Sequence, residues 1–463
     1  MNYDIIIIGS GPGGYVAAIR ASQLGKKVAV VERAELGGIC LNWGCIPAKS
    51  LLKSAKVYEN VKNAVDYGIK ITGDVSPDIK GMMERSRAIA DEMSKGIQFL
   101  FKKNKIDHIK GFGKLSGKNK VRVESDNGKY EEYVAPNIIL ATGARPKEFP
   151  GLKLDGKKII GYREAITMNK MPESMIIVGS GAIGSEFAYF YNSIGVDVTL
   201  IEFLPNIVPL EDEEVSKQLE RSFKKTGMKV MSGSFVEKVD ISGEKCKVMV
   251  KTGKGEKEIE ADIVLSAVGI SPNLENIGLE EIGIEMDKDK VKVDEYYKTN
   301  VKGIYAIGDI VHGQSLAHVA SAEGIICVEN ISGKTPGPLD YENIPSCTYT
   351  SPEVASVGKT EKEAKEAGYE IKVGKFPFIA SGKARAIGEK EGFVKLIFDA
   401  RYGELLGGHM IGANVTEMIA EIVVARKLEI TGPELIKSVH PHPTMSEAVM
   451  EAAAAAYGEV INL

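Results

Sequence analysis

The sequence predicts an α/β protein with two parallel-sheet, doubly wound folds and a C-terminal α+β domain. Three observations carry this. A strand–glycine turn–helix–strand pattern occurs at 4–32 and again at 175–202, every matched position offset by 170. A second pair, "NIILATGARP" (137–146) and "DIVLSAVGISPN" (262–273), repeats a buried-type strand that ends in glycine and a proline-marked turn. Beyond Pro336, "TPGPLDYENIP" reads as a linker, and "EGFVKLIFD" and "ELLGGHMIG" read as antiparallel strands among helices with no glycine fingerprint.

The first repeat has specific chemistry. Gly9, Gly11 and Gly14 match Gly179, Gly181 and Gly184, and each triplet has an acid, Glu32 or Glu202, 23 residues after its first glycine. The first glycine makes the tight turn, the second admits a pyrophosphate, and the third lets helix and strand pack closely. The phosphates then face unpaired N–H groups at the positive end of a helix. Each acid is placed to accept from a ribose diol. Both folds are therefore Rossmann-like dinucleotide-binding domains. Glu202 favours NAD over NADP, and "FLPNIVPL" (203–210) offers no arginine for a 2′-phosphate. The strand "GIYAIGDI", near 303, ends in a further acid, Asp309.

Composition narrows the class. The 463 residues suggest about three domains. A 44% hydrophobic, 26% charged chain is ordinary for globular cores, and a net charge of −4 gives no pull toward nucleic acid or anionic lipid. No apolar run approaches a membrane span. "MNYDIIIIGSGPGG" lacks the basic start and cleavage site of a signal peptide. With only five cysteines, a cytoplasmic enzyme without structural disulfides is expected.

Cys40 and Cys45 nevertheless stand close together in "GGICLNWGCIPAKS" (37–50), flanking the only tryptophan, Trp43. Zinc sites use comparable spacings, but with a second ligand pair nearby, and none follows here. No metal site is expected. Cys246, Cys327 and Cys347 are scattered and read as small core residues. A Cys40–Cys45 bridge would need a distorted or interrupted helix. Residues five apart in an ideal helix have Cα atoms roughly 8.6 Å apart, and a disulfide needs under about 7 Å. Gly37, Gly38, Gly44 and Pro47 could supply the interruption.

Taken together, these motifs resemble the flavin-linked pyridine nucleotide–disulfide oxidoreductases, and within them the branch that oxidises dihydrolipoyl groups. The family pattern G-G-x-C-L-N-x-G-C-I-P-x-K matches Gly37–Lys49, and H-P-x-x-x-E matches His442, Pro443 and Glu447. The paired fingerprints, the A-T-G strand end, the G-D motif, "LAH" (316–318) and "EGIICVEN" (323–330) complete a likeness running from Asp4 to the C-terminal helix. Trp43, where a small β-branched residue is commoner, and Ile270, where a basic one often stands, depart from it. The resemblance implies an FAD-binding domain (1–147), an NAD-binding domain (148–271), a continuation of the first (272–340) and a dimerisation domain (341–463).

It also implies roles. Gly9, Gly11, Gly14 and Glu32 would hold FAD, with Asp309 on its ribityl chain, and Gly179, Gly181, Gly184 and Glu202 would hold NAD. Gly113, Thr142, Gly143, Gly269 and Ala317 would add cofactor contacts, and Lys49 and Glu186 would pair beside the flavin. Helix 317 onward would aim its start, near His318, at the flavin's pyrimidine edge. Cys40 would exchange with the substrate dithiol, and Cys45 would contact the flavin. Implied partners are a second copy of the chain and a lipoyl-bearing acyltransferase or glycine-cleavage carrier, with no nucleic acid and no membrane. No N-terminal lipoyl module is expected. Glutathione-type enzymes, which use NADP, fit Glu202 poorly, and mercuric enzymes carry a C-terminal cysteine pair where this chain reads "GEVINL".

Near the C-terminus, Pro441 and Pro443 hold their predecessors out of helix. Thr444-x-x-Glu447 then fits a capping box at a helix start. The residues alone leave Glu447 open between that cap and a catalytic partner of His442. The resemblance assigns the dyad, with His442 as base for Cys40 of the partner subunit and His440 as a structural neighbour.

Overall fold

Ile5–Ile8 is apolar at every position because both faces of that strand are covered. Ile5 and Ile7 face a helical layer with Ala17, Ala21 and Val328, whereas Ile6 and Ile8 face Leu115, Val121 and Val123. The computed structural model describes residues 2–125 and 127–463, which form two compact units. The first comprises Met1–Ser50, Lys80–Lys147 and Ile270–Tyr341. Its parallel sheet runs Ile304–Ala306, Asn137–Leu140, Ile5–Ile8, Val28–Glu32 and Asp107–Lys110. Helices Pro12–Gln23 and Ala317–Ile331 cross closely over it. A Cβ on Gly324 would stand 2.7 Å from the Gly13 carbonyl oxygen, so only glycine fits there.

The second unit comprises Leu51–Ile79, Glu148–Gly269 and Glu342–Leu463. Its parallel sheet runs Lys229–Met231, Asp197–Ile201, Ser174–Val178, Ile263–Ser266 and Ile159–Ile160. Four strands take the same places as their repeat mates in the first unit. The repeat goes further than the fingerprints indicate. Each parallel sheet is accompanied by a three-stranded antiparallel one, Phe112–Gly117 with Lys120–Glu124 and Tyr130–Val134, and Phe235–Asp240 with Cys246–Thr252 and Gly255–Ala261. Their exposed charged positions hide this likeness from a sequence reading.

The second unit also holds a five-stranded antiparallel sheet, ordered Ser346–Thr348, Glu353–Gly358, Leu405–Gly412, Phe393–Asp399 and Ile371–Pro377. Helix Glu447–Tyr457 lies against it, and its alanines are explained by proximity. A Cβ on Gly374 would fall 1.8 Å from the Ala452 carbonyl oxygen. Cys246 and Cys327 are core residues as expected, but Cys347 is only half-buried, on the edge strand Ser346–Thr348. No helix among the described residues is long and apolar enough to cross a membrane.

Candidate active site

Cys40 and Cys45 form a disulfide with Cα atoms 4.7 Å apart. The short helix Gly38–Asn42 ends at Trp43, with φ −136° and ψ 2°, and helix Cys45–Lys62 starts afresh after Gly44. The bridge spans the break between them. Gly37 and Gly38 have φ of 97° and 61°, and a Cβ on Gly38 would stand 2.6 Å from Gly11 Cα. The Gly37 N–H donates to the Ser10 carbonyl at 3.1 Å. The cysteine loop thus sits directly on the first glycine fingerprint. Asn42 staples it from within, donating to the carbonyls of Leu36 and Gly38 at 2.9 Å each. Arg87 lies 4.2 Å over the Trp43 ring. Both cysteines are half-buried.

In the second unit, His442 Nδ1 lies 2.8 Å from Glu447 Oε1, and Glu447 Oε2 accepts the Thr444 N–H at 2.8 Å. An ionised carboxylate only accepts, so Nδ1 carries a proton, and in the neutral imidazole the lone pair is then on Nε2. That nitrogen is free to act as a base: the His442 side chain is 77% exposed. Burial pushes the Glu447 carboxyl up, but the Thr444 N–H and His442 outweigh it and hold it below its ordinary range. The expected capping box is only half formed. The helix starts at Glu447, not after Thr444, and the Thr444 hydroxyl donates to the Pro441 carbonyl at 2.8 Å. That hydroxyl is drawn back into the turn, so it cannot reach the helix's own N–H groups. His440 is enclosed, its Nε2 2.7 Å from Glu421 Oε1, and this bond holds its imidazole above the ordinary value against the effect of burial.

The sequence pattern of the pyridine nucleotide-disulphide oxidoreductases matches residues 3–324, and that of the family's dimerisation domain matches 344–453. The chain belongs to this family. It is 49% identical to a dihydrolipoyl dehydrogenase of Rhizobium etli over 100% of its length and 99% of the relative's. A dihydrolipoyl dehydrogenase of Bacillus subtilis is 44% identical over 99% of each chain. The crystal structure of LpdA from Mycobacterium tuberculosis matches with a TM-score of 0.90 at 27% identity, covering 97% of this chain and 98% of that one. As in the oxidoreductases of this family that it matches over its full length, its cofactors are FAD and NAD, and it forms a homodimer.

The residues present fit two dinucleotides. Cβ atoms on Gly9 and Gly14 would stand 2.1 and 2.0 Å from backbone oxygens, and on Gly179 and Gly184 2.4 and 1.8 Å. Gly11 and Gly181 differ. Each opens its helix without a side-chain cap, and a Cβ there would meet nothing within 4 Å. Both helix starts therefore leave room for a phosphate to approach their first N–H groups. Glu32 Oε2 accepts from Ser10 N and Oγ at 2.9 and 2.8 Å, and Glu202 Oε2 accepts from Ser180 N and Oγ at 2.8 and 2.7 Å. The serines were not anticipated, although "GSG" opens both fingerprints. The Asp309 carboxyl receives no hydrogen bond from the described residues, and burial pushes its pKa up. Such a group is suited to a ligand hydroxyl.

The remaining expected residues lie on several elements of the two units. Thr142 Oγ1 donates to the Asn273 carbonyl at 2.7 Å. Gly143 and Gly269, with φ of 67° and 111°, stand just before the short strands Ala144–Pro146 and Ile270–Pro272. Gly113 packs on the side chains of Val31 and Ile8. Ala317 begins its helix, followed by His318. Lys49 lies on helix Cys45–Lys62 in the first unit. Glu186 is buried in the second and accepts the Tyr349 N–H at 3.0 Å, a partner that sequence spacing could not indicate.

Proposed function

We propose that the chain reoxidises dihydrolipoyl groups through the Cys40–Cys45 disulfide and passes the electrons by way of FAD to NAD⁺. The observation that carries this reading is the half-buried disulfide seated on the first fingerprint, Gly38 against Gly11. A substrate thiol is a weak nucleophile until deprotonated. His442 Nε2 takes its proton, and Glu447 steadies the imidazolium through Nδ1. The thiolate forms a bond to Cys40 Sγ as the Cys40–Cys45 bond breaks, leaving Cys45 as thiolate. The second substrate thiol displaces Cys40 and its proton passes to the departing Cys40 sulfur, so the substrate leaves as a cyclic disulfide and the enzyme pair is reduced by two electrons. FAD, when bound, would supply the two-electron carrier between this pair and NAD⁺.

Residues 1–147 and 272–340 form the FAD domain in this reading, 148–271 the NAD domain and 341–463 the dimerisation domain. Gly9, Gly11, Gly14, Glu32, Gly113, Thr142, Gly143, Asp309 and Ala317 hold FAD. Gly179, Gly181, Gly184, Glu202 and Gly269 hold NAD, and Lys49 pairs with Glu186 beside the flavin. The dyad serves the disulfide of the partner subunit. The enzyme works in the cytoplasm on a lipoyl-bearing acyltransferase or glycine-cleavage carrier.

One assay tests the core of it: turnover of dihydrolipoamide with NAD⁺ and with NADP⁺. Activity with NAD⁺ that is lost in Cys40→Ser is expected, and full activity in Cys40→Ser refutes the assignment. Mixed dimers of Cys40→Ser and His442→Gln subunits should regain activity at one of their two sites. A mixture as inactive as its parents refutes the shared site.

A further inference from the structure

A row of polar residues crosses all five strands of the antiparallel sheet in register. Ser346 pairs with Ser356, Ser356 with His409, His409 with Lys395, and Lys395 with Lys375. Lys395 and His409 are each 1% exposed, in a domain that also holds a large apolar core cluster. The row faces one short segment, residues 211–214, at the start of helix Glu213–Lys225. Lys395 Nζ donates to both Asp212 oxygens at 3.1 and 3.0 Å and to Glu214 Oε1 at 2.9 Å. Glu361 approaches the same ammonium at 2.8 Å, and Lys375 pairs with Glu214. Ser346 and Ser356 lie beside Glu211.

That segment ends the loop that begins at Glu202. Asp212 caps the helix by accepting the Glu214 N–H at 3.0 Å. Glu211 N–H donates to the Val208 carbonyl at 3.0 Å, and Val208 N–H donates to the Ser180 carbonyl at 3.1 Å. Val208 itself has φ 39°, a conformation a β-branched residue keeps only when its surroundings hold it there. Ser180 in turn grips Glu202, whose other oxygen accepts the Leu204 N–H at 2.8 Å. The contacts run unbroken from the sheet to the acid.

We infer that this ladder, with Lys395 at its centre, is the positioning element of the second nucleotide site, fixing the 203–212 loop and through it the Ser180–Glu202 pair that receives the ribose. The inference rests on the second fingerprint being the NAD site. Buried ion pairs are poor sources of stability, and well-packed apolar residues often replace them at no cost. A charge cluster that only joined two surfaces would therefore leave ligand affinity alone.

The test uses the dimeric FAD holoenzyme and NADH, titrated by fluorescence. Lys395→Met removes the charge, and Asp212→Asn keeps a good helix cap while weakening the pair. Each should weaken NADH binding by about tenfold or more, since small misplacements of binding groups are costly. Reduction by dihydrolipoamide without NAD⁺ is a separate half-reaction that does not use this site, and it should stay within about twofold. Lys395→Arg, which preserves the charge, should restore binding. NADH affinity unchanged in Asp212→Asn overturns the inference, whatever happens to melting temperature, and decides alone if Lys395→Met does not fold. A wild-type enzyme that fails to bind NADH overturns the NAD reading instead.

Discussion

Replacing Glu447 by glutamine separates the two duties of that carboxylate. In the structure one oxygen accepts from Thr444 N–H and the other faces His442 Nδ1. Glutamine has a single acceptor oxygen. If it keeps the Thr444 bond, its NH₂ points at Nδ1, which must then accept, and the imidazole proton moves to Nε2. The opposite orientation sets two donors against each other at Thr444, at roughly 1–3 kcal/mol. The first orientation wins, and Nε2 can no longer take a proton. A positioned general base contributes about 10²–10⁴-fold, so flavin reduction by dihydrolipoamide should fall by that range. The backbone bond survives and His442 is largely exposed, so stability should change by less than about 1 kcal/mol. Rapid mixing without NAD⁺ gives the rate and a thermal melt gives the stability. A rate within about threefold of wild type, far from the range expected for a lost base, refutes the dyad. Glu447 would then serve the helix start alone.

Gly324→Ala forces a methyl against the Gly13 carbonyl where helices Pro12–Gln23 and Ala317–Ile331 cross. It should cost about 1–3 kcal/mol and loosen FAD, and unchanged melting with full FAD retention after dialysis contradicts the packing argument. Glu211 has a buried, unpartnered Oε2, and burial pushes its carboxyl up to about 7. A raised folded pKa stabilises below the unfolded value near 4.5, and this stability is lost as pH rises through about 7. Glu211→Gln should therefore gain on wild type between pH 5 and 8, by roughly 1–3 kcal/mol, and a difference in melting temperature that does not vary with pH rules this out. Glu202→Ala removes the acceptor for Ser180 and Leu204 as well as for the ribose, so KM for NAD⁺ should rise by about tenfold or more. Unaltered KM in steady-state kinetics means the second fingerprint is misread.

The features legible in the sequence are those made by neighbours in the chain. A fingerprint is complete within about 30 residues, so glycine spacing and a following acid sufficed to find both nucleotide folds. The helix break at Cys40–Cys45 and the His442–Glu447 contact are equally local, each spanning five residues, although the resemblance was needed to assign the second as a dyad. Turn geometry and side-chain reach decide such features locally. Glu447 shows the limit: the residues could not choose between cap and base, and the folded turn lets one carboxylate meet both groups.

What lay beyond the sequence depends on register and crossing. Nothing near Lys395 in "EGFVKLIFD" marks it as more than the solvated member of an alternating strand. Its partner Asp212 is 183 residues away, and only strand order and the packing of helix Glu213–Lys225 bury the two together. Gly38 resting on Gly11 has the same origin, as does Tyr349 meeting Glu186. Local spacing determines which chemistry the chain carries. Where those groups stand relative to others is decided by long-range packing, because a side chain's burial belongs to the surface that covers it and not to its own stretch of chain.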